Sequence, residues 1–139
     1  MNVVIIDGQG GQLGARLVKE ILSGFSDIEL TAIGTNALAT ANMLKAGAKN
    51  AATGENPAVV ACRKADVIIG PVGIVIADSL LGEITPKMAL AAAQADAVRI
   101  LIPMNRCGNL IAGIRTANTS EFITDTIEKL SEIIGGRRA

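Results

Sequence analysis

The sequence contains no histidine, tyrosine or tryptophan. Without histidine the chain lacks the commonest general base and the imidazole ligands of metal sites, so we predict no metal centre. Without tyrosine it lacks the phenolic hydroxyl with which many reductases protonate a carbonyl. Phe25 and Phe122 are the only aromatic side chains, which leaves little surface for stacking on nucleic-acid bases. Sites that depend on histidine or tyrosine are therefore excluded.

Excess charge of either sign is also absent, because 13 basic residues balance 13 acidic ones. A general nucleic-acid binder needs an excess of cations to displace counterions from phosphate, so we expect no nucleic-acid partner. Half of the residues are hydrophobic and 19% are charged, which excludes a disordered chain.

Cysteine is scarce and no hydrophobic run is long. Cys62 and Cys107 are too few for a secreted disulfide scaffold. The longest uncharged apolar run, Val67–Ala77, falls short of the roughly 20 residues that span a membrane. No basic segment precedes the first apolar run, so we expect a cytoplasmic protein without a signal peptide or membrane partner. The mean hydropathy of +0.44 is high for a small monomer, so we expect a homodimer.

Short apolar runs alternate with amphipathic segments along the whole chain. The predicted strands are Val3–Ile6, Ile28–Ile33, Ala48–Thr53, Val67–Gly70 and Val98–Ile102, with a sixth considered at Leu110–Ile114. The predicted helices are Leu13–Gly24, Ala37–Ala46, Asn56–Lys64, Pro86–Ala95 and Asn118–Gly135. This alternation is typical of a parallel sheet with helices on both faces. We predict one α/β domain over residues 1–139, a three-layer Rossmann-like fold with a mostly parallel five- or six-stranded sheet in the order 3-2-1-4-5.

A glycine-rich turn follows the first predicted strand, with Gly8, Gly11 and Gly14 spaced three residues apart. Small residues here let the chain turn sharply, let backbone N–H groups approach a phosphate, and let the helix pack close to the sheet. The turn therefore predicts a nucleotide or other phosphate ligand, bound by Gly8, Gly10, Gly11, Gln12, Leu13 and Gly14. The alternative is a tight turn that binds nothing.

Residues 4–14 resemble the N-terminal fingerprint of the extended and atypical short-chain reductases, which include the dTDP-sugar reductases. The resemblance implies a dinucleotide cofactor, NAD or NADP, at Gly8, Gly11 and Gly14. It does not imply reductase chemistry, because the Tyr-x-x-x-Lys pair of that family cannot exist in a chain without tyrosine.

Polar residues follow the first two predicted strands. Asp7 has two interpretations: it accepts hydrogen bonds from N–H groups of its own loop, or it is a catalytic or magnesium-linked carboxylate. Thr35 and Asn36 stand where a Rossmann domain often carries an acid that binds a ribose. They could contact a ribose or 2′-phosphate, or simply cap the next helix.

The ends of the fourth and fifth predicted strands carry the other candidates. Gly70 and Pro71 follow the fourth strand, and Asn105, Arg106 and Cys107 follow the fifth. Arg106 could hold a phosphate or carboxylate, or form a surface salt bridge. Cys107 could be a nucleophile with a lowered pKa, or a small buried hydrophobe.

Asp78 and Glu83 flank Leu80 and Leu81 near the same edge of the predicted sheet. They could supply acid or base groups there, but we expect a solvated loop.

Residues 70–78, 84–89 and 102–108 resemble a family of short, functionally uncharacterised bacterial proteins. That resemblance spans nearly the full length, and it implies a bacterial cytosolic setting without catalytic residues.

Three hypotheses follow. The first is a small binding protein for a dinucleotide or other nucleotide, acting as a sensor, carrier or subunit. The second is an enzyme for a phosphorylated small molecule, with Arg106, Cys107 and Asp7 at its site. The third is a structural or protein-interaction module without a ligand.

Overall fold

The structure, a computed structural model, describes residues 1–104, 108–115 and 118–138. Five parallel strands form one sheet in the order β3-β2-β1-β4-β5, as predicted. The strands are β1 Asn2–Asp7, β2 Glu29–Gly34, β3 Asn50–Thr53, β4 Val67–Pro71 and β5 Val98–Ile102. The helices are α1 Gln12–Gly24, α2 Ala37–Lys45, α3 Glu55–Lys64, α4 Pro86–Gln94 and α5 Thr119–Arg138.

Both faces of the sheet are covered, because the central strands are apolar on both sides. Val3 and Ile5 of β1 pack with residues of α1, α2 and α5 on one face. Val4 and Ile6 pack with residues of α3 and α4 on the other. Burying an aliphatic side chain of this size contributes about 1.5–3 kcal/mol. The continuous apolar run of β1 thus produces the predicted three-layer α/β arrangement.

Of the two sheet sizes considered, the described residues form the five-stranded one, and one predicted helix boundary is wrong. Residues 110–114 do not form a sixth strand: Gly113 has a φ of +88°, and the Ile114 N–H donates to the Ile111 carbonyl in a local turn. The last helix continues past Gly135 to Arg138, because Gly135 does not adopt the positive φ that ends many helices.

The glycine-rich turn joins β1 to α1 and brings α1 close to α2. Gly11, the residue before α1, has a φ of +70°. A Cβ atom there would lie 2.5 Å from the Cα of Ala39 in α2. A Cβ atom on Gly14 would lie 2.6 Å from the Met43 sulfur and 2.9 Å from the Asp7 Cβ. Both glycines are therefore required by packing, whether or not a ligand binds.

Gly11→Ala tests this requirement. The left-handed backbone and the overlap with α2 together predict a loss of about 2–5 kcal/mol in the free energy of unfolding. Gly24→Ala is the matched control on α1, since a Cβ there meets nothing within 4 Å. It should gain up to about 1 kcal/mol. Urea denaturation measures both, and equal stability of the two variants would contradict the packing argument.

Candidate functional site

The glycine-rich turn lies at the C-terminal edge of the sheet, where the strand order changes direction. The chain runs outward from β1 through β2 to β3, and then returns to β4 on the other side of β1. Ligands of open α/β sheets bind in the crevice at this point. The turn, the end of β2 and the end of β4 thus form the candidate site.

The buried Asp7 carboxylate accepts hydrogen bonds from both ends of the glycine-rich turn. Its side chain is 3% exposed. Oδ1 accepts from the Gly8 N–H at 2.8 Å, and Oδ2 accepts from the Gly14 N–H at 2.7 Å. Burial raises the pKa of Asp7, the two backbone hydrogen bonds oppose this, and the nearby Glu83 carboxylate adds to the rise. These bonds agree with the interpretation that Asp7 accepts from its own loop.

Three backbone N–H groups of the turn are available to donate hydrogen bonds to a ligand. The Gly11 N–H donates to the Gly8 carbonyl at 2.9 Å. Within the described residues, the N–H groups of Gly10, Gln12 and Leu13 have no protein acceptor. Such groups at a helix N-terminus carry partial positive charge and bind anions. The first turn of α1 can therefore accept a phosphate.

Asn36 is a helix cap, one of the two roles considered for it. Its Oδ1 accepts from the Ala39 N–H at 2.9 Å, and its Nδ2 donates to the Gln9 carbonyl at 2.9 Å. Thr35 does not cap α2. Its hydroxyl donates instead to Glu83 Oε1 at 2.6 Å.

Glu83 belongs to this site, although the sequence favoured a solvated loop for it. Its Oε1 accepts from Thr35, from Asn36 Nδ2 at 2.6 Å and from the Gln9 N–H at 3.0 Å. Burial acts to raise the pKa of Glu83, but these hydrogen bonds outweigh it and the pKa is lowered. The sequence could have indicated this contact, because Thr35 and Asn36 after β2 are hydrogen-bond donors with no acidic residue near them along the chain.

The other predicted site residues divide into two groups. Gly70 and Pro71 are buried at the end of β4, and a Cβ on Gly70 would overlap the Ile6 carbonyl, so Gly70 is required by strand packing. Asn105, Arg106 and Cys107 lie outside the described residues, and their proposed roles stay predictions.

The described residues hold neither a metal-binding cluster nor a membrane-spanning helix. They contain no group of three or more acidic or cysteine side chains placed to hold a metal ion. No described helix is both long and apolar enough to cross a membrane.

Residues 2–135 match the profile of a domain of unknown function, DUF3842. The chain belongs to the DUF3842 family. This confirms the expected membership of a functionally uncharacterised family. No curated protein matches this DUF3842 chain.

The fold of the chain is similar in outline to that of a solved structure. That structure is the crystal structure of a dodecameric FMN-dependent UbiX-like decarboxylase from Escherichia coli O157:H7. The match covers 97% of this chain and 95% of that one, at 12% sequence identity and a TM-score of 0.47. Similarity at this level carries no argument about ligand, activity or assembly. Neither match is to a dTDP-sugar reductase.

Asp7→Asn tests the inward-facing carboxylate. An amide offers one oxygen where two N–H groups need acceptors, so we expect a loss of about 1–3 kcal/mol in the free energy of unfolding. Asp96→Asn, on an exposed loop, is the control and should change it by less than about 0.5 kcal/mol. Urea denaturation at pH 7 gives both values.

The pH profile gives a second readout of the same variant. Because the folded pKa of Asp7 is raised, the proton-linked part of its contribution to stability is full below its ordinary value of 3.8 and is lost as the pH rises through the folded value, while the two backbone hydrogen bonds still contribute at pH 7. The wild-type stability minus that of Asp7→Asn should therefore fall over this range. A difference that rises with pH would show that the folded pKa is lowered.

Proposed function

We propose that this chain binds a small phosphorylated ligand of the nucleotide class at the first turn of α1, as a sensor, carrier or subunit. The observation that carries the proposal is the set of three N–H groups, on Gly10, Gln12 and Leu13, that have no acceptor within the described residues. They lie where the strand order reverses, which is the usual ligand crevice of this architecture.

Neither carboxylate beside the turn occupies the three free N–H groups. Asp7 is buried and already accepts from Gly8 and Gly14, so its charge is directed into the turn rather than toward the crevice. Glu83 accepts from Gln9, at the start of the turn, rather than from the three free N–H groups.

A ligand-free interaction module is the competing function. It is favoured by the packing of Gly11 and Gly14 against α2 and β1, since that packing explains these glycines without a ligand. The spacing of the glycines therefore cannot decide between the two functions. The free N–H groups support the binding function, because they offer an anion three donors beside the switch in strand order.

Gln12→Glu separates the two functions without breaking the fold. Gln12 is exposed at the first position of α1, where a carboxylate stabilises the helix by about 0.3–1 kcal/mol. The same carboxylate repels a phosphate. We expect calorimetric titration with AMP and FMN to show binding to the wild type and at least about tenfold weaker binding to the variant.

Gln94→Glu makes the same chemical change at the exposed end of α4 and is the control. It should bind as the wild type does. Failure of the folded wild-type protein to bind AMP, FMN or inorganic phosphate would refute the proposed function and favour the interaction module.

We also infer that the chain forms a homo-oligomer. Several large apolar side chains are exposed, including Leu81 at 95% and Leu110 at 93%. Covering such side chains with a second copy removes apolar surface from water. Light scattering after size exclusion should give a mass of at least twice the chain mass of 14.2 kDa. A mass equal to one chain at all concentrations tested would contradict this.

A further inference from the structure

The end of β2 is where the adenosine ribose of a dinucleotide lies in a Rossmann-like domain. In this chain the Glu83 side chain lies at the end of β2 instead. Glu83 comes from the loop of residues 76–84, which follows β4, and reaches Thr35 and Asn36 directly after β2.

The side-chain donors at the end of β2 are all bonded in this arrangement. The Thr35 hydroxyl donates to Glu83. Asn36 donates to Glu83 and to the Gln9 carbonyl, and its oxygen accepts from Ala39. A ribose hydroxyl that accepted from either side chain would have to replace one of these bonds, and the bonds to Glu83 are strengthened by its charge.

The loop that carries Glu83 is anchored rather than loose. Leu80 is 1% exposed, and Ile84 is fully buried. The Asp78 N–H donates to the Ile84 carbonyl at 2.8 Å, and the Ile84 N–H donates to the Ser79 carbonyl at 3.2 Å. The space above the first glycine of the turn is also filled, since a Cβ on Gly8 would lie 2.9 Å from Leu80 Cδ1.

We propose that Glu83 is a specificity-determining residue that closes the ribose subsite at the end of β2, so that the turn accepts a mononucleotide but not a dinucleotide. This proposal rests on the proposed function, because it specifies which phosphorylated ligand the same N–H groups bind. The phosphate lies on the first turn of α1, and the nucleoside extends away from β2. The Glu83 charge also repels any phosphate placed at the end of β2, so NADP is excluded more strongly than NAD.

The first test uses the wild-type protein alone. Calorimetric titrations with AMP, NAD and NADP should show AMP binding, NAD binding no tighter than AMP, and NADP binding weaker still. A dinucleotide site would instead gain affinity from the second nucleotide. NAD binding about tenfold or more tighter than AMP would overturn the inference while leaving the proposed function intact. Absence of binding by all three would refute both.

Glu83→Ala gives the second test. Removing the side chain opens the subsite, so the affinity for NAD should rise about tenfold relative to that for AMP. Glu20→Ala removes the same charge from an exposed position on α1 and should leave the ratio unchanged. Loss of NAD affinity in Glu83→Ala would mean that Glu83 binds the ribose instead of excluding it. If that variant does not fold, Glu83→Gln keeps the volume, and the ratio of NADP to NAD affinity should rise.

Discussion

The Asp7 carboxylate is the constraint on which the rest of the site depends. Its two oxygens accept from Gly8 and Gly14, and so they hold both ends of the turn between β1 and α1. The turn can close this tightly because Gly14 lacks a Cβ, which would otherwise meet Asp7 itself. Gly11 then brings α1 against the backbone of α2. The first turn of α1 is thereby fixed at the sheet edge, beside the switch in strand order.

The carboxylates of Asp7 and Glu83 have pKa values shifted in opposite directions. Burial raises the pKa of Asp7, and its charge serves the inside of the turn. Hydrogen bonds lower the pKa of Glu83, so its charge is kept at neutral pH and lies at the end of β2. In the function proposed above, Asp7 shapes the turn that binds the phosphate, and Glu83 restricts what that phosphate is attached to.

The sequence was sufficient wherever the deciding information was local. The apolar run of β1, the glycine spacing and the amphipathic pattern of α1 predicted that unit, and the alternation of strands and helices along the chain predicted the sheet order. It was not sufficient for Leu110–Ile114, whose composition suits a strand but which turns back on itself at Gly113. Nor did it reveal Glu83, because its partners Gln9 and Thr35 lie 74 and 48 residues away along the chain.

The most direct measurement is a phosphate titration followed by the backbone amide signals of ¹⁵N-labelled protein. We predict saturable shifts at Gly10, Gln12 and Leu13, with much smaller shifts at Gly8 and Gly14, whose N–H groups are already bonded to Asp7. Unchanged signals for Gly10, Gln12 and Leu13 in folded protein, at phosphate concentrations that shift other amides, would contradict a phosphate site at the first turn of α1.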